Sequence, residues 1–358
     1  MVLDKWIVFT AGVLSVLTFL FMYEYFTLEN EEETTWDRHE SFEEAGWNPD
    51  ALLQARNYYE SINSTALMVI YDGDVLLSWG DVTRNTNAHS VRKSFLSALY
   101  GIELEKGTFE LHETLFDFEI EEDPPLTNLE KRARLSHLLS STSGVYLPAG
   151  EESWGMRQAR PARESFLPGT YYYYNNWDFN VLGTIYNQET ERDLFEDFAD
   201  RIAEPLGMED FELGNTNYRY ENRRSLHPSY LFRMSARDFA RFGQLYLQEG
   251  KWEGEQIVPQ DWVEKSTSPQ AEVPSNDLMD YGYLWWTAVE PPFSDLDMFS
   301  AIGRYGQSIE VIPERDLVFV HRVDSNQEAF TVAQDSVNNL QRLQLLQLIL
   351  DSQIQEDR

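Results

Sequence analysis

Ser90 and Lys93 stand three positions apart in Ser90-Val91-Arg92-Lys93, at the head of an apolar stretch. On a helix that spacing puts a hydroxyl and an amine on one face, one turn apart. A serine hydroxyl attacks a carbonyl poorly until a base takes its proton. A lysine serves as that base only where burial or nearby positive charge lowers its pKa. A helix N-terminus also favours negative charge developing on the serine. Taken by themselves, the four residues equally suit a helix cap followed by a surface lysine.

Two further stretches carry groups that such a pair would need. In Tyr174-Asn175-Asn176, after the turn Pro168-Gly169-Thr170, the Tyr174 phenol can shuttle a proton and Asn176 can hydrogen-bond a substrate. Four consecutive tyrosines, Tyr171 to Tyr174, must point in different directions, so most of them pack or line a pocket. In Gly303-Arg304-Tyr305-Gly306-Gln307, just before an apolar strand, the glycines admit a substrate to an edge backbone and Arg304 adds positive charge. An ordinary turn between strands would read the same way.

The elements that must hold these residues are legible in outline. Asp50 caps a helix running through Tyr59. Apolar runs at Ala66–Tyr71 and Val75–Trp79, split by Asp72-Gly73-Asp74, predict a hairpin. Ser90–Glu105 reads as a helix closed by Lys106-Gly107, and further helices are expected at Asp193–Ala203 and Ala236–Leu247. Strand signals return at Tyr281–Ala288, Ser308–Ile312 and Leu317–Val323, and an amphipathic helix spans Ala333–Leu350. Early strands pairing with late ones give an α+β fold: an antiparallel sheet flanked by helices, with a mostly helical inserted lobe over about 110–265. A crevice between sheet and lobe is the natural place for a small-molecule site. Trp177, Trp285 and Trp286 suit either that crevice or the core.

Composition removes several classes. Against 28 Lys+Arg stand 61 Asp+Glu, a net charge of −33, so no basic grip on nucleic acid is expected. Such acidity keeps a chain soluble through self-repulsion, which salt relieves. Without cysteine there is neither a disulfide framework nor a thiolate metal site. Six histidines with no His-x-x-x-His spacing give no reason to expect a metal, and no cofactor motif is present. His89 precedes the serine and reads as a positioning or packing residue; His137 and His227 read as hydrogen-bonded structural residues.

The first residues read as a membrane helix. Trp6 to Tyr23 carries no charge and, at about 1.5 Å per residue, crosses most of a bilayer core of about 30 Å. Trp6, Tyr23 and Tyr25 suit the interfaces, and Lys5 gives a weak positive-inside cue. No Ala-x-Ala follows the apolar run, which argues against a cleaved leader. The expected layout is an anchor over 1–26, an acidic tether over 27–48, and a globular domain over 49–358 outside the cytoplasm.

Ser90-x-x-Lys93, then Tyr174-x-Asn176, then a basic-x-Gly element before the last strands, resembles the motif order of the serine β-lactamase and penicillin-binding protein superfamily. The stretches His137-Leu138-Leu139, Thr142-Ser143-Gly144, Met234-Ser235-Ala236-Arg237-Asp238, Asp261-Trp262-Val263 and Tyr281-Gly282-Tyr283 are similar to the branch of class C β-lactamase-like esterases and 6-aminohexanoate-dimer hydrolases. The resemblance implies the β-lactamase/transpeptidase-like fold over about 50–350. It implies Ser90 as acylated nucleophile, Lys93 as general base and Tyr174 as proton relay. Asn176 would position Lys93 or the substrate, and the N–H groups of Ser90 and Gln307 would form the oxyanion hole. Arg304-Tyr305-Gly306 stands where the superfamily has Lys-Thr-Gly or a His/Trp-Gly-Gly variant. That departure favours an ester, amide or peptide-like substrate over a β-lactam. The rival expectations are β-lactamase or D,D-peptidase activity, and a penicillin-recognising sensor that is acylated without turnover.

Overall fold

A computed structural model describes residues 35–354 except 275 and 327–330. The anchor expected over 1–26 and the first part of the tether lie outside the described residues. Among those described, no helix is long and apolar enough to cross a membrane.

The sheet is assembled from the two ends of the chain. Strands β1 (Ala66–Tyr71) and β2 (Asp74–Gly80) form the expected hairpin. Strands β8 (Met279–Tyr281), β9 (Trp286–Ala288), β10 (Phe299–Gly303), β11 (Gln307–Ile312) and β12 (Leu317–Arg322) come from the last third. Their order is β2-β1-β12-β11-β10-β9-β8, with every pairing antiparallel, and β1 meets β12 with Ala66 opposite Arg322 and Tyr71 opposite Leu317. Alternation along β1 explains why nearly the whole strand is apolar. Leu67 and Val69 join one core, while Ala66, Met68 and Ile70 join the other. Both faces are therefore covered.

The first face receives α1 (Pro49–Ser61) and the C-terminal helix, whose apolar side chains Leu52, Ala55, Leu345 and Ile349 pack with Phe319. Asn48, not Asp50, caps α1, accepting from Asp50 N at 2.9 Å. The second face receives a later helix, Ala236–Leu247, against which α2 (Arg92–Lys106) packs with the Phe95 and Phe242 ring centres 4.8 Å apart. Between them in sequence lie α3 (Leu135–Leu139), α4 (Trp154–Ala159), α5 (Asn176–Thr190) and α6 (Leu194–Phe198); a small sheet of order β3-β5-β4 joins Thr86–Asn87, which precedes α2, to Ser229–Met234 and Thr216–Arg219, and β6 (Lys251–Trp252) pairs with β7 (Glu255–Gln256) beyond the later helix. Ala236–Leu247, called α7 below, does not belong with the inserted lobe. It lies on the main sheet, so closely that a Cβ on Gly243 would meet Val318 Cγ1 at 2.5 Å. The helical lobe therefore ends before residue 236 rather than near 265.

Three other expectations change. Residues 35–48 are not a free tether. Val75 N donates to Asp37 O at 2.9 Å and His39 N to Val75 O at 3.2 Å, which covers the β2 edge. Trp36 lies under the Arg241 guanidinium, 5.1 Å from its ring centre, and Trp47 is buried. The acidic composition hid three apolar anchors, Trp36, Phe42 and Trp47. The strand expected over Tyr281–Ala288 is broken at Gly282–Trp285, because Tyr283 O and Leu284 O turn away to accept from Ser97 and Ser94 of α2. The last helix starts at Asn339, capped by Asn338, after a separate turn at Val332–Asp335.

Candidate active site

α2 runs through the middle of the molecule, buried from Arg92 to Glu103. Serines on it let neighbours approach, since each hydroxyl meets a loop carbonyl at 2.8 Å. Gly101 does the same for Trp262, whose ring would lie 2.2 Å from an added Cβ. Ser90 sits in the tight turn His89–Val91 that feeds this helix. His89 takes a left-handed φ of 48°, with its N–H held by Asn87 Oδ1 at 2.8 Å. Strain of this kind, 1–3 kcal/mol as a rough scale, persists only where surrounding contacts impose it.

Tyr174 is delivered from the other side by the segment entering α5. Ser141 Oγ donates to Tyr173 O at 2.8 Å and accepts from Asn175 N at 3.0 Å. Asn175 caps α5 and donates to Val145 O at 2.7 Å and Asp178 Oδ1 at 3.0 Å. The Ser141–Gly144 loop thus clamps the backbone on either side of Tyr174. Trp286 stacks on the Tyr174 ring, with centroids 5.7 Å apart and planes 23° apart.

These elements bring three side chains together. Lys93 Nζ donates to Ser90 Oγ at 2.8 Å and to Tyr174 OH at 3.0 Å. Lys93 is 1% exposed, and its amine lies 4.8 Å from the Tyr174 ring centre and 4.6 Å from that of Phe179. Burial holds its pKa well below the usual lysine value; Arg92 and Arg304 push the same way, and Glu151 opposes them. Burial raises the Tyr174 phenol, while a hydrogen bond to Ser90 and the charges of Arg92 and Arg304 restrain the rise. A free amine can accept the serine proton, and a neutral phenol can donate one.

The cavity over Ser90 encloses about 170 Å³. Its walls include Asn87, His89, Arg92, Glu151, Leu231 and Tyr174, together with Asn176 and Arg304. Asn176 lines it but donates to Gly150 O at 3.3 Å, with no hydrogen bond to Lys93. Arg304 reaches across the mouth and donates to Glu151 O at 2.8 Å. Gly306 and Gln307 are not in the wall. Gly306 O accepts from His321 at 2.6 Å, and the Gln307 side chain is spent on Val323 O and Arg322, both within 2.8 Å. Gly303 is the glycine that approaches the serine: a Cβ there would lie 3.2 Å from Ser90 N and 2.7 Å from Ala88 O. A larger groove of about 620 Å³, lined by Leu104, Trp262 and Lys265, holds none of Ser90, Lys93, Tyr174, Asn176 and Arg304. Chemistry rather than size selects the site.

Residues around Ser90 that sequence reasoning did not assign include Arg92, Glu151 and Leu231. Arg92 lies inside the first motif, so its position was visible although its role was not. Glu151 and Leu231 come from a loop and a strand with no local signal. His89 keeps to positioning. Its Nε2 lies 2.7 Å from Ser325 Oγ and its ring meets Tyr305 edge-on at 5.0 Å. Burial, then the charge of Arg304, lowers its pKa to about 3, so it is neutral at ordinary pH. Trp177 and Trp285 are core residues, while Trp286 stands beside the site.

The β-lactamase family model matches residues 50–344. The chain belongs to the β-lactamase family. This family is one of serine hydrolases, and the antiparallel sheet with flanking helices is its fold. A D-aminopeptidase of Brucella anthropi is 39% identical over 70 residues, 20% of this chain and 13% of that enzyme. An uncharacterised protein of Alkalihalophilus pseudofirmus is 21% identical over 74% of this chain and 84% of its own. Among solved structures, a candidate 6-aminohexanoate-dimer hydrolase of Bacillus anthracis superposes with a TM-score of 0.62 at 20% identity, covering 83% of this chain and 80% of that one. A class C β-lactamase mutant superposes at 0.60 with 12% identity, covering 88% and 99%. At those identities the likeness is one of fold, and the family member's own chemistry rests on its own side chains.

Proposed function

We propose that this β-lactamase-family protein hydrolyses an ester or amide through an acyl-enzyme on Ser90. The observation that carries the reading is the buried Lys93 amine placed within 3.0 Å of both the Ser90 hydroxyl and the Tyr174 phenol. In this reading Lys93 Nζ takes the Ser90 proton as Oγ bonds to the carbonyl carbon. Tyr174 gives its proton to the leaving oxygen or nitrogen and recovers it through Lys93. Water then enters by the reverse route, the acyl–Oγ bond breaks, and Ser90 regains its hydrogen. The Ser90 N–H is one oxyanion donor. The second comes from the Gly303–Arg304 peptide rather than from Gln307, a choice supported by the approach of Gly303 to Ser90 N. Donors fixed in advance matter because charge appears on the carbonyl oxygen only in the transition state.

Esters and linear amides fit better than β-lactams, since Arg304 is engaged with Glu151 at the mouth of a small cavity. The amide-cleaving relatives named above favour the same class. Membrane attachment through 1–26, with the domain outside the cytoplasm, completes the proposal; retention of the full chain in a membrane fraction, lost on removing those residues, tests it. For the chemistry, a fluorophosphonate probe is expected to label the wild type once, at Ser90, and to leave Ser90→Ala unlabelled with its fold intact. Equal labelling of both refutes the reading. Steady turnover of p-nitrophenyl esters with little nitrocefin cleavage is expected. One stoichiometric burst without turnover would instead identify a sensor.

A further inference from the structure

Arg92 is a buried cation without a counter-charge. Its residue is 4% exposed, and Nη1 donates to His89 O at 2.8 Å. Nε and Nη2 have neither a hydrogen-bond partner nor water access. No carboxylate among the described residues comes within ion-pair distance, and the guanidinium instead lies 5.1 Å from the Tyr230 ring centre. A single buried charge of this kind works against folding. It does so in a chain with 61 acidic residues, where a partner would be easy to supply. Its location is specific: it borders the cavity shared by Ser90 and Tyr174, one residue from Lys93.

We propose that Arg92 is an electrostatic positioning residue, whose unpaired guanidinium holds Lys93 as a free amine and favours negative charge on Ser90 and Tyr174. The inference rests on the hydrolase reading above. The groups facing Lys93 from each packed element are few. They are Ser90 and Arg92 on its own side, Tyr174 and Phe179 from α5 and its approach, Arg304 after β10, and Glu151 from the preceding loop. Glu151 is the one carboxylate among them, and it is bound to Arg219 and lies beside Arg304. Arg92 is shielded from water and Arg304 is not, so Arg92 acts through the lower effective dielectric.

The direction follows from charge. A nearby cation disfavours the ammonium form, so removing it raises the Lys93 pKa. The reactive form is the amine, so the acid limb of the pH profile moves to higher pH. The experiment measures the rate of fluorophosphonate labelling at Ser90 against pH, with the full chain, for wild type, Arg92→Met and Arg92→Lys. Arg92→Met is expected to shift the midpoint up by on the order of one pH unit, and Arg92→Lys to bring it back. A slower Arg92→Met with an unmoved midpoint overturns the inference, because the His89 O contact alone would then explain the loss. Arg92→Gln repeats the test if the Met variant does not fold. Failure of both neutral variants to fold overturns it too, since an uncompensated charge should not be what the fold requires. A wild type that does not label at Ser90 removes the hydrolase reading first, and this inference with it.

Discussion

Lys93 sits where burial disfavours an ammonium more than Glu151 favours one, and that has a thermodynamic signature separate from catalysis. In the unfolded chain the amine keeps its proton up to about 10.5; in the fold its pKa is well below that. Between the two values the unfolded state binds a proton that the native state lacks. Stability therefore rises with pH across that window and falls as pH drops toward neutrality. Lys93→Met removes this dependence, so the variant's advantage over wild type, or the smallness of its loss, is greatest near neutral pH and shrinks toward 10.5. Thermal unfolding of both proteins at several pH values reads the slope; a difference that stays constant with pH means the lysine is charged in the fold. The same variant is expected to lose activity by about 10²–10⁴-fold, the usual contribution of a positioned base. Spacing linked Ser90 to Lys93 in the sequence, while Tyr174 joined them only through the resemblance to a known motif order. Glu151 was not legible there, because a loop carboxylate becomes part of the site only once the chain brings it to Arg304.

Elements were legible where a local signal closes them at both ends. Ser235 accepts from Asp238 N at the start of α7, and the helix spans Ala236–Leu247 as expected. Lys106-Gly107 ends α2 because Gly107 takes the left-handed φ of 73° that stops a helix. The break at Gly282–Trp285 was invisible, since the carbonyls leave the sheet for serines that lie far away in sequence. The glycine that borders Ser90 was not legible for a similar reason. Two glycines flank Arg304-Tyr305, and only packing shows which one faces Ser90. Gly303 does, with β10 pressed against the Ala88–Ser90 turn. Gly303→Ala would put a methyl 2.7 Å from Ala88 O, a backbone atom that cannot swing aside. The strand and the Ser90 turn must then part. The expected result is a drop in kcat of about tenfold or more, with KM little changed and a stability loss of about 1–3 kcal/mol. Burst kinetics with a p-nitrophenyl ester check it. An unchanged acylation rate would place the second oxyanion donor elsewhere.

At the scale of the molecule, charge is sorted rather than balanced. Among the described residues Arg92, Lys93, Arg237, Arg241, Arg322 and Arg342 are buried, but so are carboxylates such as Glu103, Asp197, Asp238 and Glu310, so burial leaves the acidic excess on the surface. Some of the buried cations are structural: Arg322 donates to Gln307 Oε1 at 2.8 Å and to Thr86 O at 2.9 Å, joining the main sheet to the strand that precedes the Ser90 turn. Most of the negative excess behind the net charge of −33 lies at the surface. Surface carboxylates then repel one another over a distance set by ionic strength, about 10 Å at 0.1 M and about 3 Å at 1 M. Compacting the chain brings these charges together, so the repulsion bears harder on the native state than on the unfolded one. Added salt should therefore stabilise the fold. The melting temperature is expected to rise by several degrees between about 0.05 and 1 M sodium chloride, and most of the gain should come early, where the screening length shortens fastest. Potassium chloride should act alike, because screening depends on ionic strength and not on the cation. A melting temperature that is flat or falling across that range would mean that the buried cations and surface ion pairs already compensate the field, and that −33 is a number without mechanical consequence for this fold.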